Sequence, residues 1–505
     1  MLRTLRALQS VPVRVTVAVV VTAAFMALPV GAAGAETLVP PGFRVVEGTQ
    51  VGPGVEYLKL AGTERRQSVN VARIAPDSPT SLRAVLSDDH VADPGVNLER
   101  TSSMCERVDC LVAVNGDFYD LENGQPQGGV VVGGELVRSP SPVHHQLVVS
   151  PEGRLSARTL GWTGRIESTD LKPLSLDAVN IPRGADQLVL YTPAYGASTG
   201  TNPFGTELTA AVETPGRILL DQTVVLRLGE LRRNAGDTAI APGTVVLSGH
   251  GRAAEALHEL WARVQKGVAG TQLLLRIESD QPAGQSLGGT PILVRDGKRW
   301  GEGPGSFGAD RHPRTIVGWT AAGEVLLVTV DGRQPGFSEG MTLGEAADLM
   351  IRLGAVEAIN LDGGGSTTFV VKGAVANQPS DRLVRRKGRE AIVHSPGRGE
   401  MVLGNVERPV AVGLALVPGT PAQVGPQPDL GLDVPKPLSL ASPAARDPAS
   451  EPDGSVPGIV NRLTGAEEGG FDSLEASLAA NVALALVVGA LLRRRFGRRG
   501  DPTPD

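Results

Sequence analysis

Apolar residues in this chain are grouped in short runs broken by Gly and Pro, and few of the runs carry the 3.6-residue spacing of a helix. Residues 69–74 and 82–86 read as strands of a mixed or antiparallel sheet, 110–114 as a buried strand, and 128–137 as a hairpin turning at Gly133-Gly134. A second hairpin is expected over 146–155 through Glu152-Gly153, and short strands between Gly/Pro turns continue from 161 to 247. Helical spacing first becomes clear over 253–265, where Leu257, Leu260, Trp261 and Val264 share a face. Residues 289–298 faintly echo 129–137, and 314–330 echo 146–155, which suggests two related halves of one domain.

The pattern changes after residue 311. Residues 314–319 form a strand led by Arg314, and 324–330 are a continuous apolar strand ending in Asp331-Gly332-Arg333. Thr342-Leu343-Gly344-Glu345 is a capping box, Leu343, Ala346, Ala347 and Met350 form an apolar helix face, and Gly354 can close the helix before a strand over 356–361. Strand, helix and strand of this length predict a βαβ unit with parallel strands. The expected fold is therefore α+β or mixed α/β, a mixed sheet whose βαβ unit carries the active site. Residues 369–371, 391–393 and 402–414 supply closing strands.

Length and composition set the frame for these elements. A chain of 505 residues accommodates one large domain with appendages. Aromatics make up only 3%, so the core must rest on Val, Leu, Ile and Ala. With a net charge of −6 and no dense basic run before the last residues, a nucleic-acid partner is excluded for the globular part.

The two ends suggest export. Arg3, Arg6 and Arg14 precede an apolar run over 15–30 and the small-residue pattern Ala33-Gly34-Ala35, as in a signal peptide spanning 1–35. A domain over 36–416, with its core at about 81–404, is followed by a disordered Pro/Ala/Gly-rich linker over 417–473. An apolar segment over 474–492 reads as a transmembrane helix, and the Arg-rich tail over 493–505 places the C-terminus in the cytoplasm. The expectation is a single-pass cell-membrane protein with its globular domain outside. Cys105 and Cys110 enclose four residues and lack the Cys/His partners of a zinc site, so a local disulfide is expected.

The chemistry centres on Asn360-Leu361-Asp362-Gly363-Gly364-Gly365-Ser366-Thr367-Thr368. Three consecutive glycines give up more backbone entropy than a turn requires, because two residues suffice to reverse a strand. Such a run suits close backbone approach to a ligand, with the N–H groups of Gly363, Gly364 and Gly365 around an anion, Asp362 as acid, base or metal ligand and Ser366 as a hydrogen-bonding group. The bland alternative is a strained hairpin with a capping Asp. If the two strands are parallel, Asp331-Gly332-Arg333 and the Asp362 loop share one crevice. There Arg314 and Arg333 suit a phosphate and two carboxylates suit acid–base work. Asn115-Gly116-Asp117-Phe118-Tyr119 at the end of the 110–114 run suits a sugar, through hydrogen bonds and stacking. His90 and His250 read as a solvated loop and a helix-initiating turn.

Several of these blocks together resemble the phosphodiester glycosidase family. They are Asn115 to Tyr119, Pro313-Arg314-Thr315, Asp331-Gly332-Arg333, Gly340-Met341-Thr342-Leu343, Leu353-Gly354-Ala355, Asn360 to Thr367, and Asn377 with Pro379-Ser380-Asp381, in family order across roughly 81–404. The resemblance implies an extracytoplasmic hydrolase acting at a sugar-1-phosphate diester. It carries an active-site role onto Asp117, Arg314, Asp331, Arg333, Asp362 and Ser366; with the reading of the residues themselves, catalysis is expected of Asp117, Asp331 and Asp362, and substrate binding of Asn115, Arg314, Thr315, Arg333, Gly363, Gly364, Gly365 and Ser366. Two readings of the carboxylates stand: they hold Ca²⁺, whose ligands are oxygens, or they act without a metal. The substrate expected for a tethered enzyme is a cell-envelope glycan. The alternative is a non-catalytic envelope protein that binds phosphorylated polysaccharide.

Overall fold

The computed structural model describes residues 39–419, apart from 93–96, 169–170, 214–216, 268–269, 302, 304, 387 and 395–399. The leader, most of the linker, the C-terminal apolar segment and the basic tail lie outside the described residues. Among the described residues no helix is long and apolar enough to cross a membrane.

The architecture is mostly β, built from large antiparallel sheets, and this corrects the expected mixed α/β fold. One eight-stranded sheet runs in the order Phe43–Gly52, Val55–Gly62, Ser68–Ile74, Val325–Val330, Arg314–Thr320, Ala355–Asn360, Ile292–Arg295, Lys298–Arg299, with every neighbouring pair antiparallel. The expected βαβ unit is absent because Arg314–Thr320 lies between the two strands that were to pair. It forms a hairpin with Val325–Val330 on one side and pairs with Ala355–Asn360 on the other. A strand–helix–strand pattern is local, whereas the choice of pairing partner is not. Both flanking strands are antiparallel to the same middle strand, so they point the same way and Asp331 and Asp362 follow their ends at one edge.

The strands of this sheet are apolar on both faces because both faces are covered. Val55, Tyr57, Ala72, Ile74, Val317, Leu327 and Ile359 face a core shared with Leu82, Val112, Val114, Phe369 and Leu414. Those partners belong to a five-stranded sheet in the order Ala374–Val375, Phe369–Val371, Val112–Asn115, Val412–Pro418, Thr80–Leu86. Residues one step along, Leu58, Leu60, Val69, Val71, Ile316, Leu326, Val328 and Ala358, point to the other face and meet Leu343, Ala346, Ala347 and Met350 of the helix Leu343–Arg352. Period-two alternation thus supplies two cores from one sheet.

A second eight-stranded sheet, from Trp162–Ser168 to Gln272–Ser279, packs on the helix Arg252–Gln265 through Leu257 and Leu260. Its parallel pair, Ala178–Val179 with Leu188–Tyr191, is the exception to antiparallel pairing among the registered strands. The hairpins expected over 128–137 and 146–155 form as Val130–Val132 with Glu135–Arg138, and Gln146–Val149 with Leu155–Arg158. Cys105 and Cys110 are disulfide-bonded, with Cα atoms 4.9 Å apart, and close the helix Thr101–Arg107 onto the start of Val112–Asn115.

The capping box at Thr342 forms as the sequence predicts: the Thr342 hydroxyl accepts from the Glu345 N–H at 3.1 Å, and the Glu345 carboxylate accepts from the Thr342 N–H at 3.0 Å. Since this helix covers one core face of the sheet, Thr342→Ala should lower stability by about 1 kcal/mol. Urea denaturation of the two proteins measures the difference.

Candidate active site

The site lies where the ends of Val112–Asn115 and Ala355–Asn360 meet. The side chain of Asn115 makes the junction: its Nδ2 donates to the Asp362 carbonyl at 2.7 Å, and its Oδ1 accepts from the Thr315 hydroxyl at 2.7 Å and the Thr368 N–H at 3.1 Å. The Asp362 N–H donates to the Gly116 carbonyl at 2.9 Å. Asn115 and Thr315 are buried and engaged with each other. They hold the loops together, and their side-chain polar atoms are engaged within the protein.

The triple glycine is a floor between charged side chains. Gly364–Ser366 is a 3₁₀ turn with Gly364 at φ 60, the left-handed region that favours glycine. The expected anion nest is largely used up by the protein itself, since the Gly363 N–H donates to the Asp362 Oδ1 at 2.8 Å and the Gly364 N–H donates to the Pro313 carbonyl at 2.9 Å. What the glycines provide is room. A Cβ on Gly364 would come within 2.9 Å of the Arg333 guanidinium, and one on Gly365 would overlap Arg408 and Asp381. Two arginines therefore lie against the glycine backbone, and side chains there would push them away.

Arg333 has φ 57, an uncommon conformation for a non-glycine residue at a tight turn. Its Nε donates to His312 Nδ1 at 3.1 Å, and its Nη1 lies 3.3 Å from His394 Nδ1. Imidazoles rather than carboxylates hold it, so its charge is left to act on a ligand. Burial lowers its pKa, the Arg408 charge adds to the shift, and Asp381 and Asp362 oppose it. Arg408 donates from Nε to the Asp381 Oδ2 at 2.7 Å. Desolvation and the adjacent arginines bring the pKa of His312 down to about 4, so His312 is a neutral acceptor for Arg333 at ordinary pH.

Asp362 is only partly buried by its own surface but closely enclosed by protein. Desolvation raises its pKa to about 6 against the opposing effects of Ser366, Arg408 and the Gly363 N–H, and the Asp117 charge adds to the rise. Ser366 is fully buried, and its hydroxyl has no well-formed hydrogen bond. Asp117 is also buried, with Oδ2 accepting from the Gly128 N–H at 2.6 Å and Oδ1 lying 3.2 Å from His144 Nε2. Phe118 meets His144 edge-on at 6.3 Å and Phe307 at 6.0 Å between ring centroids, giving an aromatic ledge beside the carboxylates.

The structure therefore brings together Asp117, Asp362, Arg333, the three glycines and Ser366. Arg314 is elsewhere engaged: it is buried, donates to the carbonyls of Met341, Phe307 and Asp310 at 2.7–3.0 Å, and straps the chain beneath the site. Asp331 is fully buried and its carboxylate accepts from the Ser68 hydroxyl at 2.8 Å, Asn377 Nδ2 at 3.0 Å and the Gln378 N–H at 3.1 Å. Among the described residues, no three His, Cys, Asp or Glu side chains are grouped to hold a metal ion, so Asp117, Asp331 and Asp362 do not form a Ca²⁺ set. His144, His312, His394, Asp381 and Arg408 join the site without having been singled out for a role by sequence. The Pro379-Ser380-Asp381 block was the available signal for Asp381.

Fold and site together define a β-rich domain in which an acid of raised pKa stands beside two guanidiniums. Residues 197–394 match the model of the phosphodiester glycosidase family. This span contains Arg333, Asp362, Asp381 and His394, whereas Asp117, His144 and Arg408 come from outside it. The chain is 33% identical over 141 residues to the N-acetylglucosamine-1-phosphodiester alpha-N-acetylglucosaminidase of Bos taurus, covering 24% of this chain and 26% of that protein. The Homo sapiens protein of the same description is 31% identical over 141 residues, covering 24% and 27%. The chain thus spans about a quarter of the length of these curated relatives. A solved structure of a hypothetical protein from Synechocystis shares the fold, with a TM-score of 0.50 at 17% identity over 72% of this chain and 62% of that one.

Asp331 allows a pH test. Burial raises its pKa from 3.8 to about 6 against its hydrogen bonds. The folded state therefore holds this proton more tightly than the unfolded chain, so the stability it contributes is full below about pH 4 and is lost as pH rises through about 6. Asp331→Asn retains the shape without the charge. It should make stability fall less steeply with pH between about 4 and 6, leaving the part due to Asp362, as followed by urea midpoints across that range.

Proposed function

We propose that the chain hydrolyses a sugar-1-phosphate diester, with the phosphate held by Arg333 and Arg408 above the glycine floor and the sugar against Phe118 and Phe307. The observation that carries this reading is the packing of Arg333 and Arg408 against the glycine backbone that directly follows Asp362; burial, which raises the pKa of Asp362 to about 6, favours a protonated carboxyl there in mildly acidic water. An acid in that place can protonate the bridging oxygen as it leaves on phosphate. The guanidinium forks match phosphate oxygens, and the aromatic rings match the apolar face of a sugar. Family membership of the 197–394 segment and the names of its relatives support the same substrate class.

The test is an assay of the purified protein on the methyl diesters of glucose-, N-acetylglucosamine- and mannose-1-phosphate. Turnover of at least one is expected, and Asp362→Asn should lower it by about 10²-fold or more. A general acid must be protonated to act, so kcat/KM should decline above about pH 6, by about tenfold per unit once the group is ionised. In Asp362→Asn the residual activity should lose that alkaline limb. Turnover by Asp362→Asn equal to that of the wild type would remove this residue from the chemistry.

The reading extends to the setting of the enzyme. The arginine-led apolar run at 15–30 and the Cys105–Cys110 bond support export, because a disulfide persists in an oxidising compartment. The apolar segment at 474–492 with its arginine tail supports a membrane tether and a cell-envelope glycan as substrate. The full-length protein should sediment with membranes, and a chain ending at residue 470 should be released in active form. Recovery of the intact mature chain in the soluble fraction would refute the tether.

A further inference from the structure

The buried carboxylate of Asp117 is closed off from any substrate except through one side chain. Asp117 is 1% exposed. Its Oδ2 takes the Gly128 N–H at 2.6 Å, its Oδ1 faces His144 Nε2 at 3.2 Å, and a Cβ on Gly288 would overlap both oxygens. Gly128 closes the remaining side, since a Cβ there would lie 2.7 Å from Gly288 Cα and 3.0 Å from His144 Cδ2. Gly128 and Gly288 thus pack their backbones against the carboxylate, leaving no room for a sugar or a phosphate to reach it. His144 sits at the open end, partly exposed, with Phe118 edge-on to its ring at 80°. Its loop is tied down where the Gly289 N–H donates to the His145 carbonyl at 3.0 Å.

We propose that His144 is a catalytic residue, the general base that activates water, and that Asp117 is a positioning residue acting through it. A carboxylate oxygen accepts, so Nε2 carries the imidazole proton and Nδ1 keeps its lone pair. Asp117 thereby fixes both the tautomer and the ring plane. The same strand end that carries Asp117 receives the Asp362 N–H on the Gly116 carbonyl at 2.9 Å, and the Asp117 charge is felt at the Asp362 carboxyl, so the His144–Asp117 pair and Asp362 belong to one strand-end cluster. The reaction balances as follows. A water oxygen bonds to the anomeric carbon and gives one proton to His144 Nδ1. The bond from that carbon to the bridging oxygen breaks, its electron pair stays on the phosphate, and Asp362 supplies the proton that oxygen takes. Sugar and phosphate monoester leave, and both side chains return to their starting states by proton exchange with solvent.

This inference rests on the proposed diester hydrolysis, and the experiment separates the two. On whichever methyl diester the full-length wild type turns over, His144→Gln should lower kcat about 100-fold with KM little changed. Added imidazole should restore at least about tenfold of the rate to His144→Ala, since a diffusible base replaces the missing one. Asp117→Asn should lower kcat, and the double variant Asp117→Asn/His144→Gln should be no slower than His144→Gln alone. Nitrogen NMR of the wild type should show the ring of His144 protonated on Nε2, a readout that needs no variant to fold. A His144→Gln enzyme within about threefold of wild type, a double variant slowed by the full product of both effects, or an Nδ1-protonated ring would each overturn the assignment. Absence of turnover by the wild type on every diester would instead defeat the proposed hydrolysis, and this assignment with it.

Discussion

The Asn115 amide holds the site together. Its three hydrogen bonds tie the end of Val112–Asn115 to the strand Arg314–Thr320 through Thr315 and to both ends of the glycine loop through Asp362 and Thr368, segments some 200 residues or more away in the chain. A buried amide left with unmet donors and acceptors is costly, so the native arrangement is the one in which all three contacts form together. Once they do, the carbonyl of Gly116 meets the Asp362 N–H, and Asp117 and Asp362 come near enough for the charge of one to act on the other. The strands that carry this edge are close-packed on both faces by the two cores of the large sheet.

Asp331 and Asp362 show how the same pKa shift can accompany different roles. Desolvation lifts both carboxyls to about 6. Asp331 has its oxygens occupied by Ser68, Asn377 and Gln378, and it ties loops from three regions together. Asp362 keeps a surface open beside Arg333 and Arg408. A raised pKa marks burial; only open lone pairs and a neighbouring ligand-sized space mark chemistry. The arginines divide in the same way, with Arg314 spent on backbone carbonyls and Arg333 held by imidazoles above the glycine backbone.

Local sequence determined a good deal: the strand runs, the hairpin turns at Gly133-Gly134 and Glu152-Gly153, the capping box at Thr342, the short Cys105–Cys110 loop, and the turn at the Asp362 glycines. Each depends on residues close together in the chain, where backbone preference and side-chain spacing decide the outcome. Tertiary structure alone decided the rest. Inserting Arg314–Thr320 between two strands turned an expected parallel unit into an antiparallel sheet, because pairing depends on competition between distant strands. Packing also decided which of the chemically similar residues remain available, sinking Arg314 and Asp331 and recruiting His144, Asp381 and Arg408. A residue's type and spacing state what it is able to do, but its burial and its partners, set by the whole chain, determine whether any of that capacity is left for a ligand.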